Sequence, residues 1–274
     1  MQHASVNGIQ VAFDLRGTGE PVVMIHGAQG DQTMFNDMAA LFARHFRVLT
    51  FDQRGSGLSE KPNMDYTIGL LADDAAALMD HVGISAAHII GVSMGGTIAQ
   101  EFALRHPQKV ISLVLGCTTA GGPKAVRIGG SAFTAAYAAE PMSAEERGRA
   151  LAEAAFTKRY LEQHPEIIPA MVEARRQRPI DPVALDHRLK AVLKHDAYDR
   201  LPGIQRPTLV ITGREDALIA CENSQILADR IPGAKLVILE SAGHCFWLEQ
   251  PQLSNEAISQ FLRANSLVGK GSTW

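Results

Sequence analysis

The stretch Ala87-His88-Ile89-Ile90-Gly91-Val92-Ser93-Met94-Gly95-Gly96-Thr97 passes from a short apolar, β-type run into a helix-type run with almost no linking residues. A turn that tight forces its central residue into a strained backbone conformation, and glycines on both flanks remove the Cβ atoms that would otherwise collide. Ser93 is therefore expected on a point, at the C-terminal edge of a strand and the N-terminus of a helix. Free N–H groups and the helix dipole favour developing negative charge there. That is a setting for a nucleophile.

Working outward, Asn7-Gly8 separates two alternating segments, 4–6 and 9–13, which signals a type I′ hairpin and an antiparallel start to a sheet. Further strand-type runs lie at 22–25, 47–51, 87–90, 110–115, 208–212 and 235–239. Helical spacing of Phe35, Met38, Leu41 and Phe42, of Ile68, Leu71, Ala75, Leu78, Met79 and Val82, and over about 252–263 places helices between or after them. The fold class expected is α/β: an eight-stranded, mostly parallel sheet with helices on both faces and ligands bound at strand C-termini.

The alternation stops after Gly116 and resumes at Thr208, and only helix signals occur between. Ser143-Ala144-Glu145-Glu146 reads as a capping box, and His164-Pro165 and Asp181-Pro182 each place proline at a first helical position. Residues 121–201 are expected to form a helical cap inserted into a core of 1–120 and 202–274. Gly121-Gly122 and Gly129-Gly130 would supply flexible joints at one end.

Composition narrows the function. A hydrophobic share of 46% with 20% charged residues fits a globular chain, and a net charge of -3 with no long basic block argues against nucleic acid as a partner. Cys117, Cys221 and Cys245 are odd in number and widely spaced, which points to neither a disulfide framework nor a zinc site. No run approaches a membrane span and the start of the sequence lacks a secretory pattern, so a cytoplasmic protein without membrane partners is expected. Oligomeric state is not legible.

A serine hydroxyl needs a base in reach and a third group that orients the base. Only His244 among the ten histidines lies beyond Pro207, in a loop directly after the last expected strand. Gly213-Arg214-Glu215-Asp216 follows the penultimate strand and supplies the acid. Asp216, one position deeper into its loop, is preferred over Glu215. His26, which also follows a strand, is read as shaping its loop. Backbone N–H groups of Ala28 and Met94 are placed to receive an oxyanion.

With these residues in view, the chain resembles α/β-hydrolase-fold enzymes over essentially its whole length. The likeness rests on His26-Gly27, Asp52-Gln53-Arg54-Gly55-Ser56-Gly57-Leu58-Ser59, the Ser93 elbow, Gly213-Arg214-Glu215-Asp216, and Gly243-His244 with Glu249-Gln250-Pro251. It implies a triad of Ser93, Asp216 and His244, an oxyanion hole from Ala28 and Met94, and no metal or organic cofactor. Dehalogenases and epoxide hydrolases of this fold carry Asp where this chain has Ser93. Cofactor-free haloperoxidases typically carry proline at the position of Gln29, and many carbon–carbon hydrolases carry Asn at that of Val92. Hydrolysis of a small-molecule carboxylic ester or lactone is the expected activity. Carbon–carbon cleavage, perhydrolysis and a non-catalytic receptor are the alternatives. Phe156-Thr157 and the run 195–201 are similar in kind to the cap of enol-lactonase-like esterases. Gln29, Met142, Phe156, Met171, Phe246 and Trp247 are candidate substrate contacts, with Ile168 and Val172 behind them. Arg175, Arg176 and Arg178 could attract an anionic acid group, but three arginines on a cap helix read first as a solvated face.

Overall fold

The computed structural model describes residues 1–128 and 143–267. Its strands are β1 (Gln2–Val6), β2 (Ile9–Arg16), β3 (Glu20–Ile25), β4 (Phe46–Phe51), β5 (Ala87–Val92), β6 (Val110–Gly116), β7 (Thr208–Gly213) and β8 (Lys235–Leu239). They form one eight-stranded sheet in the order β1-β2-β4-β3-β5-β6-β7-β8. Asn7 and Gly8 join β1 to β2 with φ of +46° and +76°, the two left-handed residues that a type I′ turn requires. β2 pairs antiparallel with β4, and from β4 onward every pairing is parallel.

The middle strands β5, β6 and β7 are buried at every position, as a parallel sheet covered on both faces demands. The two-residue period of a strand divides the core. Val23 and Ile25 pack with α2 (Ile68–His81) and α3 (Met94–Arg105) on one face. Val22 and Met24 pack on the other with α1 (Asn36–Phe42) and a C-terminal helix, Pro251–Ala264. Thr67 caps α2 by accepting from the Leu70 N–H, and Gly83, at φ +69°, ends that helical run.

Between β6 and β7 the described residues add no strand. They form α4 (Ala144–Ala155), α5 (Lys158–Gln163), α6 (Ile167–Gln177) and α7 (Pro182–Lys194). The Ser143 capping box is present at the start of α4, and Asp181 caps α7 with Pro182 at its first position. Pro165 does not open a helix: α6 starts at Ile167, after a turn, with Glu166 as its N-cap. The apolar residues of these helices are only partly buried: Leu193 is exposed, and Val172 is the buried residue of α6.

Gly121 and Gly122 prove to be a packed seam and not a loose joint. Gly121 bridges Asp196, the Gly122 N–H donates to the His195 carbonyl at 3.0 Å, and the Ala197 N–H donates to that of Ala120 at 2.9 Å. A Cβ on Gly122 would stand 2.3 Å from Asp196, so both feet of the inserted segment are sewn together. Gly129, Gly130 and Met142 lie outside the described residues. Helix α8 (Glu222–Arg230) connects β7 to β8, α9 (Phe246–Glu249) follows the loop after β8, and the C-terminal helix Pro251–Ala264 is α10.

Candidate active site

Ser93 joins β5 to α3 with φ +56° and ψ -124°, a conformation that costs roughly 1–3 kcal/mol and persists only when the surroundings over-determine it. Here they do. The Ser93 N–H donates to the Gly116 carbonyl at 2.9 Å, and its own carbonyl accepts from the Gly96 and Thr97 N–H groups and, at 2.7 Å, from the Thr118 hydroxyl. Gly95 allows α3 to press on the end of β3, because a Cβ there would lie 2.0 Å from the Ile25 carbonyl oxygen. That contact brings the loop after β3 against the elbow, where a Cβ on Gly27 would be 3.2 Å from that of Ser93. Ala28 and Met94 border the same small cavity as Ser93.

The loop after β8 turns at Ser241, with φ +60°, and carries His244 beneath the surface. Its Nδ1–H donates to Asp216 Oδ2 at 2.8 Å. The second oxygen, Oδ1, accepts from the Leu218 and Ile219 N–H groups at 2.8 and 2.9 Å, so the carboxylate is held from both sides. Glu215 beside it is exposed. Burial disfavours a charged imidazole, but the Asp216 carboxylate and the Cys117 sulfur outweigh it and hold the His244 pKa well above the usual histidine range. Nε2 lies 3.9 Å from Cys117 Sγ. Cys117 is fully buried at φ +39°, and its place beside the imidazole follows from the fold, with no motif to announce it.

Two further loops buttress these groups. His26 is fully buried: Nδ1–H donates to the Gly27 carbonyl at 2.8 Å, and Nε2 accepts from the Gln53 N–H at 3.2 Å and from the Ser56 hydroxyl at 3.0 Å. Both ring nitrogens are thus committed to shaping loops, and burial keeps the ring's pKa below its usual value. Asp52 accepts from the Gln32 and Leu58 N–H groups, each at 2.8 Å, while a buried Arg54–Asp74 pair at 2.7 Å clamps the far side of that loop. Glu249 accepts from the Gly243 N–H at 2.8 Å and from the Thr157 hydroxyl at 2.6 Å, and the Cys245 N–H donates to the Ala155 carbonyl at 2.9 Å. The His244 loop is thereby tied to the end of α4.

Ser93 and His244 open together on a cavity of about 620 Å³. Gln29, Phe156, Met171 and Trp247 are among its lining residues. Phe246 is not: it is buried between Gly116 and Trp247, because the short helix α9 turns it into the core. Val172 is likewise buried, against Gly148. A second cavity, of about 330 Å³, meets Ser93 and Ala28 from the other side and is walled largely by apolar residues, including Val126, Leu189 and Val192. Arg175 and Arg176 on α6 and Arg178 just after it do not form one solvated face. Arg176 is exposed, Arg178 pairs with Asp31 at 3.3 Å, and Arg175 lines the larger cavity, its Nη2 donating to the Gln29 carbonyl at 2.6 Å.

A hydroxyl on a strained turn, a buried imidazole oriented by a carboxylate, and backbone N–H groups around a shared cavity can together support acyl transfer. Residues 20–251 match the family model described as alpha/beta hydrolase fold, and the chain belongs to that family of hydrolases. Among its relatives is 3-oxoadipate enol-lactonase 2 of Acinetobacter baylyi, 30% identical over 236 residues, covering 84% of this chain and 84% of that protein. The 2-hydroxymuconate semialdehyde hydrolase of a Pseudomonas species is 30% identical over 272 residues, covering 93% and 91%. The crystal structure of the enol-lactonase from Burkholderia xenovorans superposes with a TM-score of 0.85 at 29% identity, covering 96% of this chain and 100% of the other.

Proposed function

We propose that this hydrolase cleaves small-molecule carboxylic esters or lactones through an acyl-enzyme on Ser93. The observation that carries this reading is the strained Ser93 elbow sharing one cavity with His244, whose Nδ1–H is held by Asp216 at 2.8 Å. Ser93 Oγ attacks the carbonyl carbon, and its proton passes to His244 Nε2. Asp216 fixes the tautomer that leaves Nε2 free to accept and stabilises the imidazolium that results. The Ala28 and Met94 N–H groups receive the oxyanion. Collapse of the intermediate expels the alcohol, which takes the proton from His244, and a water activated by the same nitrogen then releases the acid.

In this reading residues 121–201 are a cap on a core formed by 1–120 and 202–274, and the cap helices supply the substrate-facing wall opposite Ser93. Lactone hydrolysis draws support from the enol-lactonase relatives named above. The semialdehyde hydrolase relative keeps carbon–carbon cleavage as the second reading, although Val92 stands where many such enzymes carry Asn.

The test is covalent. A serine-directed phosphonate is expected to label Ser93 alone, and Ser93→Ala is expected to abolish labelling and reduce turnover of a chromogenic short-chain ester by on the order of 10⁶. Labelling at another residue, or turnover retained in Ser93→Ala, overturns the assignment.

A further inference from the structure

The loop after β3 carries the Ala28 N–H proposed above as an oxyanion donor, and it is a tight turn. Ala28 and Gln29 are its central residues, and the Gly30 N–H closes it by donating to the Gly27 carbonyl at 3.2 Å. A peptide unit is planar, so the Gly27 carbonyl and the Ala28 N–H point to opposite sides of one rigid plate. Whatever holds that carbonyl therefore aims that N–H. From within the core it is held by the His26 Nδ1–H, at 2.8 Å, and by the Gly30 N–H.

The Gly30 N–H is itself one end of a plate whose other end is the Gln29 carbonyl. Gln29 is only 5% exposed, and its carbonyl accepts from Arg175 Nη2 on α6 at 2.6 Å. A hydrogen bond from a cation is shorter and stronger than a neutral one, so this is a firm hold on the plate that closes the turn. Burial lowers the pKa of Arg175 while the Asp31 carboxylate opposes that shift, which places the balancing charge on the same loop. Three residues beyond Arg175, Arg178 pairs with Asp31 at 3.3 Å, and Asp31 Oδ1 also accepts from the Thr33 N–H at 2.9 Å. Two side chains of the inserted segment thus grip the loop at alternate residues, 29 and 31. The loop has little room to drift without disturbing the elbow, since a Cβ on Gly27 would stand 3.2 Å from that of Ser93.

Resting on the hydrolase reading above, we propose that Arg175, seconded by Arg178, is a positioning residue for the oxyanion hole: by holding the Gln29 carbonyl it keeps the 27–30 turn closed and the Ala28 N–H aimed beside Ser93. One of the two oxyanion donors is then set by the inserted segment, so that segment governs the rate of attack as well as the shape of the cavity. The two tasks fall to different residues of α6. Met171, one turn before Arg175, lines the larger cavity and makes no hydrogen bond to this loop.

The experiment compares ethyl butyrate with its thiono analogue, in which sulfur replaces the carbonyl oxygen. Sulfur accepts hydrogen bonds poorly, so the oxo-to-thiono ratio of kcat/KM reads the oxyanion donors. Removing one donor outright costs roughly 10² to 10³ in kcat, and Arg175→Met, which leaves the donor present but free to swing, is expected to cost about tenfold, with KM within about threefold of wild type. The oxo-to-thiono ratio is expected to fall by about the same tenfold factor. Arg175→Lys, which keeps a cationic donor of similar reach, is expected to recover most of the ratio. An unchanged kcat in Arg175→Met, with or without a rise in KM, would overturn the proposal. Equal losses on the two substrates would also overturn it, by reducing Arg175 to a support for the cavity wall. Should Arg175→Met not fold, Arg178→Gln carries the test: its partly exposed pair holds the same loop, the ratio is expected to fall by about threefold, and an unchanged ratio counts against the proposal. Failure of the hydrolase reading looks different: neither ester is turned over and the phosphonate leaves Ser93 unlabelled.

Discussion

His244 and Asp216 meet at 2.8 Å, Nδ1 to Oδ2, and the other carboxylate oxygen is fully engaged by the Leu218 and Ile219 N–H groups. An amide at 216 keeps the shape but loses the charge, and it can present an NH₂ where the imidazole needs an acceptor. Asp216→Asn is therefore expected to lower kcat/KM for a short-chain ester by roughly 10³ to 10⁴. Glu215 is exposed and has no part in that geometry, so Glu215→Gln is expected to stay within about threefold of wild type. Steady-state kinetics on the two variants decide it, and the reverse order of losses would move the acid to Glu215.

The same pair sets the pH profile. In the proposed mechanism His244 must be neutral to accept the serine proton, and its pKa is held well above the ordinary 6.5, burial opposing and Asp216 and Cys117 prevailing. Activity is thus lost as pH falls through that raised value and gained as pH rises through it. A kcat/KM profile is expected to have its acidic limb centred above pH 6.5, with Cys117→Ala moving the limb downward because the sulfur 3.9 Å from Nε2 contributes to the shift. A limb centred below 6.5 in the wild-type chain would contradict the geometry.

How far the sequence carries depends on how local the signal is. The hairpin at Asn7-Gly8, the elbow at Ser93 and the capping box at Ser143 are dictated by residues within a few positions, and each forms where its pattern predicts. Helix α8 gives no apolar period because two of its three buried residues, Asn223 and Ser224, are polar, and α5 is too short to show one. The elements carrying Asp216 and His244 are legible from chain order alone. Cys117 and the contact of Arg175 with the Gln29 carbonyl are not, since what matters about them is which distant groups surround them after folding. Leu41 lies on an expected apolar stripe yet is exposed, because a helix shows its period whether or not a partner covers that position.

His195 sits at the seam where the inserted segment leaves the sheet, and its backbone carbonyl accepts from Gly122. Burial pushes its pKa down to about 4 from 6.5. The folded state keeps this ring neutral while the unfolded chain takes up a proton below pH 6.5, so stability is lost as pH falls from 6.5 toward 4 and no further below that. The full loss is about 3 kcal/mol. Urea unfolding at pH 7 and pH 4.5 is expected to show a smaller acid penalty for His195→Leu than for wild type. An equal penalty in both would place the proton uptake on other groups.

Met171 lines the larger cavity from α6, facing residues such as Phe156 and Trp247, and makes no hydrogen bond to any group around Ser93. The groups that would do the chemistry all stand on loops at the ends of β3, β5, β7 and β8. The inserted segment is fastened to the His244 loop through Ala155 and Thr157, not through Met171. Shortening Met171 should therefore change the shape of the cavity and leave the geometry of attack in place. Met171→Ala is expected to shift the preferred acyl chain toward greater length, each added methylene that finds apolar wall being worth about 0.8 kcal/mol, or about fourfold in kcat/KM. The rate of labelling by a small phosphonate, which needs the nucleophile and the oxyanion donors but little of the cavity, is expected to stay within about threefold. Comparing kcat/KM over a series of esters with labelling rates in the same variant separates the two roles. Equal losses for every ester and for the reagent would mean that α6 supports the geometry of the catalytic loops, and its role in choosing the substrate would have to be given up.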